Sequence, residues 1–206
     1  LAGNVEAAVS SATFTADNAP PAVIVTMPRD TTSYAALAVT SGSVTDGGSY
    51  GQYATSVTVA IQRAGGNWWN GNNGFTAPSA VYSTATFTPP DWSYSGFGAY
   101  LLDGNQYVFY VVPYDSAGNN NSNPVTMQYD TERPTSTISS PLPGLTTGFT
   151  LISGAARDDP DNSTAYEAKL GTYTVKVAVQ RVGGNWWDGA ANAGAGGFTL
   201  VNPKWY

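Results

Sequence analysis

The residues of this chain best suited to chemistry are aspartates at the ends of predicted strands. Asp17 precedes the first strand of one unit, Asp46 lies between its second and third strands, and Asp115 lies between its last two. Where such strand ends meet at one pole of an antiparallel sandwich, clustered carboxylates suit Ca²⁺, which takes about six to eight oxygen ligands. The spacing predicts a calcium site, and the alternative is that these aspartates cap backbone amides in turns.

Two further aspartates recur at a fixed distance along the chain. Asp130 stands 113 residues after Asp17, and Asp158 stands 112 residues after Asp46. A cation held between such carboxylates would relieve their mutual repulsion and stiffen the joint between two units. All five aspartates are therefore predicted calcium ligands.

Aromatic side chains offer a second chemistry, the stacking of sugar rings. Trp69 and Trp92 are the candidates for a glycan-binding platform, because aromatic faces pack well against the apolar faces of pyranoses. The alternative is structural: Trp68 and Trp69 are neighbours, and neighbours in a strand point to opposite faces, so one would fill the core and the other cover a sheet.

The composition excludes several other functions. The chain has no His and no Cys among its 206 residues, so it has no histidine- or cysteine-based nucleophile, no thiolate metal site and no disulfide. We expect no enzymatic activity. With 8 basic and 14 acidic residues the net charge is −6, which opposes nucleic acid binding, and no apolar run is long enough for membrane insertion.

A repeat organises the sequence. The block 62–71, Gln-Arg-Ala-Gly-Gly-Asn-Trp-Trp-Asn-Gly, returns at 180–189 as Gln-Arg-Val-Gly-Gly-Asn-Trp-Trp-Asp-Gly. Together with Ser41-Gly42 and Ser153-Gly154, it defines a unit of about 113 residues. On this spacing, 1–19 is the last strand of a preceding unit, 20–133 is a complete unit, and 134–206 is the first two thirds of a following unit.

Within the complete unit the apolar residues alternate with period two, which predicts strands and no amphipathic helix. The expected strands are 22–27, 37–41, 57–62, 85–88, 106–114 and 125–129. Leu102, a turn at Gly104 and Tyr107 at the start of an apolar strand predict a tyrosine corner, which joins the strands of a Greek-key sandwich. The fold class is all-β, with tandem antiparallel sandwiches.

Four motifs in this order resemble bacterial immunoglobulin-like tandem repeats of large surface adhesins and extracellular fibre proteins. They are Asp115-x-x-Gly118-Asn119, Asp130-x-x-x-Pro134, Ser153-Gly154-x-Ala156-x-Asp158 and the Gly-Asn-Trp-Trp-x-Gly block. The resemblance covers nearly the whole chain. It departs from the family at 84–100, an aromatic insertion whose role it does not explain.

The resemblance implies immunoglobulin-like Greek-key sandwiches, with calcium at their junctions as in relatives of the adhesin group. It also implies an extracellular or cell-surface spacer or filament-forming segment. The expected partners are further repeats of the same chain, homotypic lateral or end-to-end contacts in a fibre, and surface glycans. The alternative function is a carbohydrate-binding β-sandwich module.

The predicted strand 106–114 is apolar on both faces, so something is expected to cover its outer face. One candidate is the segment 84–100 folded over the sheet. The other is lateral packing between subunits of a filament.

Overall fold

The fold was obtained as a computed structural model. It describes residues 10–47, 54–144, 151–158, 175–189 and 198–203, together with Gly3 and Trp205. The described residues divide into two compact units, with the boundary between Glu132 and Arg133. Among the described residues, no helix has the length and apolar character needed to cross a membrane.

The first unit is built almost entirely of short strands, as the period-two pattern and frequent turn residues predict. Its only described helix is a single 3₁₀ turn at Gly98–Tyr100. The strands are β1 (Ala22–Met27), β2 (Thr32–Tyr34), β3 (Val39–Thr45), β4 (Ala54–Arg63), β5 (Trp68–Trp69), β6 (Phe75–Ala77), β7 (Ser83–Thr84), β8 (Thr86–Thr88), β9 (Asp91–Ser95), β10 (Asn105–Asp115) and β11 (Asn123–Tyr129).

These strands form two sheets. The smaller sheet has the order β1-β3-β9-β8, and the larger has the order β2-β11-β10-β4-β5-β6, with β7 paired to β4 beside β5. All pairings are antiparallel except β2 with β11, which is parallel. The unit is therefore all-β and sandwich-like, as expected.

One core lies between the two sheets. The smaller sheet contributes Val23, Val44 and Trp92, and the larger contributes alternate residues of β4 and β10. Val57, Val59, Ile61, Phe109 and Val111 are all fully buried. Burial of about 25 cal/mol per Å² of apolar surface makes this core the main source of stability in a unit without disulfides.

The segment 84–100 is part of the sandwich itself, and it does not cover the outer face of β10. It forms β8, β9 and the 3₁₀ turn, so it supplies half of the smaller sheet. Trp92 and Phe97 from this segment are 2% and 0% exposed. Sequence reasoning missed β9 because Asp91-Trp92-Ser93-Tyr94-Ser95 alternates aromatic residues with polar ones and follows two prolines, which together resemble a loop.

The predicted tyrosine corner is present. The backbone N–H of Leu102 donates a hydrogen bond to the Tyr107 hydroxyl, with a distance of 2.8 Å between nitrogen and oxygen. Tyr107 is fully buried, and burial raises the pKa of its hydroxyl despite this hydrogen bond. The corner fixes the start of β10 against the turn that precedes it.

The described part of the second unit contains two short strand pairs. The strand β12 (Thr135–Ser140) pairs with β13 (Ser153–Arg157), and β14 (Trp186–Trp187) pairs with β15 (Phe198–Leu200). Ile138 lies opposite Gly154, and a bulge then places Ser140 opposite Ser153. The first unit has the same register, with Val25 opposite Gly42.

Candidate functional site

Asp115 closes a turn between β10 and β11. Its Oδ1 accepts hydrogen bonds from the backbone N–H groups of Ala117 and Asn119, at 2.9 and 2.8 Å. Gly118 takes a positive φ of 91°, which the turn requires and which glycine adopts without strain. Burial alone would raise the pKa of Asp115, but the hydrogen bonds from the Asn119 side chain and from the turn backbone outweigh it, so the pKa lies below its ordinary value.

Asn119 joins this turn to the segment that precedes β1. Its Nδ2 donates to Asp115 Oδ2 at 2.9 Å and to the backbone oxygen of Asp17 at 3.0 Å. Nearby, Asn123 Nδ2 donates to the backbone oxygen of Val23 at 3.1 Å. Two amide side chains therefore tie the entry of the unit to the β10–β11 connection.

Asp17 lies at this junction and is half-buried. Its Oδ1 accepts the backbone N–H of Ala19 at 3.0 Å. Its Oδ2 is buried and accepts no hydrogen bond. Leaving a buried carboxylate oxygen without a donor is costly, so this oxygen is the atom at the pole that a cation would satisfy best.

Asp46 follows β3 at the same end of the sandwich, because Ala22 at the start of β1 pairs with Thr45 at the end of β3. It lines a pocket of about 340 Å³ with Phe87, Pro89 and Pro90. Within the described ranges, no group of three or more acidic side chains is close enough to share one metal ion.

The two remaining aspartates lie elsewhere. Asp130 repeats the local structure of Asp17: its Oδ1 accepts the backbone N–H of Glu132 at 3.0 Å. It is 9% exposed, and its own N–H donates to the backbone oxygen of Tyr34. Asp158 follows β13 in the second unit, as Asp46 follows β3 in the first, and is half-buried. The calcium assignment of these residues stays a prediction.

The two tryptophans named as glycan-stacking candidates lie in the core. Trp69 is 1% exposed and Trp92 is 2% exposed. The Trp69 Nε1 donates to the Tyr94 hydroxyl at 2.8 Å, and its ring lies 5.1 Å from that of Tyr100. Neither face of either indole is open to a saccharide in this structure.

Trp68, the neighbour of Trp69, points to the opposite face of the larger sheet. It is half-buried, and its ring centroid lies 5.2 Å from that of Tyr110 on β10. The expected alternation of the tryptophan pair therefore places one ring inside and one outside.

Sequence reasoning named Asn119 only as part of the Asp-x-x-Gly-Asn motif, without a partner, and gave no role to Asn123. The signal that could have identified Asn119 is its place in the Asp-x-x-Gly-Asn motif, since a side chain four residues after an aspartate in a tight turn faces that carboxylate.

No protein-family model matches this chain, and no curated protein sequence matches it.

Proposed function

We propose that this chain is a structural repeat segment of an extracellular or cell-surface adhesin or fibre protein, acting as a spacer or filament-forming unit. The observation that carries the proposal is that one strand pairing recurs in the two units with the same bulge. The bulged pairing of β1 with β3 recurs between β12 and β13 at a spacing of 112 to 113 residues. Repetition of one unit is the property that gives a spacer its length.

The strand order supports an immunoglobulin-like Greek key as the fold of the repeat. In that fold, strands A, B, E and D form one sheet, and G, F and C form the other. The order β1-β3-β9-β8 corresponds to the first sheet, and β11-β10-β4 corresponds to the second. The tyrosine corner before β10 lies where this fold places it.

The contacts at the entry of the first unit favour a mechanical role. Asn119 holds the backbone of Asp17, so the segment before β1 is attached to the turn between the last two strands. Pro20 and Pro21 follow at once, and each proline fixes its own φ while restricting the residue before it. A stiff entry limits bending between consecutive units.

We also propose that Ca²⁺ binds at this entry, with Asp17 as its principal ligand. The buried Oδ2 of Asp17, which accepts no hydrogen bond, supports this site. The Asp115 carboxylate, which Asn119 links to the Asp17 backbone oxygen, adds negative charge nearby. Added Ca²⁺ should raise the unfolding temperature and a chelator should lower it. Asp17→Asn should abolish that shift, whereas Asp30→Asn, which removes an exposed carboxylate, should preserve it. If Ca²⁺ leaves the unfolding temperature of the parent chain unchanged, the proposed calcium site is wrong.

The proposed location can be tested on the cells that produce the protein. Antibodies raised against this chain should label intact cells, and mild external proteolysis should remove the label. Labelling that appears only after the cells are permeabilised would contradict the proposal.

A further inference from the structure

We propose that the outer face of the larger sheet binds a neutral polysaccharide, with Trp68 and Tyr110 as the stacking residues. This proposal does not rest on the spacer function, and it moves the sugar-stacking chemistry from the buried rings of Trp69 and Trp92 to a surface. The outer face is the side of β4, β10 and β11 that points away from the core.

The geometry of the two rings is the first support. Gln62 on β4 lies opposite Trp68 on β5, and Ala60 on β4 lies opposite Tyr110 on β10. Because Ala60 has only a methyl group, the Trp68 ring reaches across it and meets the Tyr110 ring at 5.2 Å, with the ring planes tilted by 41°. Ala60 itself is 0% exposed. The outer surfaces of the two rings thus form a shallow aromatic trough.

The residues around this trough are the second support. One cross-strand row consists of Thr126, Val108, Gln62 and Trp68. The neighbouring rows carry Gln106 with Gln128 on one side and Val112 with Thr58 on the other. None of these side chains is charged, which fits a neutral ligand rather than an acidic one, and their amides and hydroxyls match the hydrogen-bonding groups of sugars.

The same composition argues against a second copy of this sheet as the occupant. Gln62 and Thr58 donate hydrogen bonds to the Gly66 and Val112 backbone oxygens, and Gln128 accepts one from the Ser33 hydroxyl. A dry interface between two such faces would still bury the remaining polar atoms of these side chains, and a buried polar group without a partner costs about 1–3 kcal/mol. A sugar chain offers each of them a hydroxyl. It also leaves water at the edges of the site.

The second unit repeats the key residue. Trp186 occupies the position of Trp68, follows the same turn, and is half-buried. In that turn Gln180 Nε2 donates to the Gly184 oxygen at 3.1 Å, as Gln62 Nε2 does to the Gly66 oxygen at 3.2 Å. The tryptophan and its turn therefore recur, whereas no counterpart of Tyr110 lies within the 206 residues.

The test is affinity electrophoresis of the whole chain in gels that contain hydroxyethylcellulose, xyloglucan, galactomannan or soluble starch, with polygalacturonate as the acidic comparison. We expect retardation by at least one neutral polymer and none by polygalacturonate. Trp68→Leu keeps apolar cover over Ala60 but removes the ring, so it should weaken binding roughly tenfold, or about 1.4 kcal/mol. Trp68→Phe keeps a ring and should retain most of the affinity.

Phe14→Ala is the matched control, because it removes a ring that is 91% exposed and lies outside the sheet. It should bind as the parent chain does. Absence of retardation in all four neutral gels would overturn the proposal. So would equal retardation of the parent and Trp68→Leu when circular dichroism shows both folded, and so would dimerisation that disappears in Trp68→Leu without any polysaccharide binding.

Discussion

The two units carry similar sequences, at 57–62 and 175–180, in different surroundings. Val57 and Val59 of the first unit are fully buried. Val175 and Val177, 118 residues later, are 59% and 36% exposed. In the first unit these valines belong to a core that also contains Trp92 of β9 and Phe109 of β10.

The turn that follows each of these segments does not show this difference. Gly65 and Gly183 take φ of 68° and 67°, and Gly71 and Gly189 take φ of 82° and 81°. A short block of sequence is therefore enough to set the turn and the pairing of the tryptophan hairpin. In the first unit, burial of β4, the strand before this turn, depends on β9 and β10, which are far away in sequence.

The largest predicted effect separates the inner tryptophans of the two units. Trp69→Ala should destabilise the first unit by about 3–5 kcal/mol, because it removes a fully buried indole and its bond to Tyr94. Trp187→Ala should lower the free energy of unfolding of the second unit by clearly less, because Trp187 is only half-buried. Hydrogen exchange followed by mass spectrometry on peptides of each unit measures both; equal costs would contradict the comparison.

The next effect should be shared by both units. A methyl group on Gly42 would collide with the backbone oxygen of Ile24, and one on Gly154 would collide with that of Thr137. Each Gly→Ala change should therefore destabilise its own unit by about 1–3 kcal/mol.

Gly47→Ala is the control for these two variants, because nothing lies within 4 Å of the added carbon. Urea unfolding monitored by hydrogen exchange in each unit gives the comparison. Tolerance of Gly42→Ala would mean that the bulged pairing of β1 with β3 is wrong.

A smaller effect belongs to the tyrosine corner of the first unit. Tyr107→Phe keeps the buried ring but leaves the Leu102 N–H without its acceptor, which should cost about 1–2 kcal/mol. Leu102→Ala, at a side chain that is 53% exposed, is the control and should change the urea midpoint little. A Phe variant as stable as the parent would show that the corner contributes nothing to stability.

The smallest effect concerns the Asp115 turn and depends on pH. The pKa of Asp115 is lowered in the folded chain, so its contribution to stability is present above the unfolded value of about 3.9 and is lost as pH falls through the lower folded value. Asp115→Asn should therefore lower the unfolding temperature at neutral pH, and the difference from the parent should shrink below about pH 4. A difference that stays constant with pH would contradict the hydrogen-bonded turn.

Much of the first unit could be predicted from alternation alone. The predicted strand 22–27 has the same bounds as β1, and the predicted strand 106–114 is one residue shorter than β10 at each end. The predicted strand 37–41 was misplaced, because β3 begins at Val39 and continues through Gly42 to Thr45. Glycine weakens the strand signal there, although it is required by the close approach of Ile24.

The candidate sites were harder to predict, for a physical reason. Periodicity shows that Trp68 and Trp69 point to opposite faces, but it does not show which of them points inward. That choice is fixed by the pairing of β5 with β4 and by the aromatic residues of β9, which contacts β5 only through the core. The direction of the Asn119 amide likewise depends on a backbone oxygen 102 residues earlier in the chain.

The account depends most on the claim that both sheets of the first unit share one core and unfold together. Stretching the whole chain in an optical trap tests this directly. The strands from β1 to β11 should be released in one step, lengthening the chain by on the order of 350 Å. Release of the same length in two or more separate steps, with the smaller and larger sheets yielding at different forces, would contradict the account.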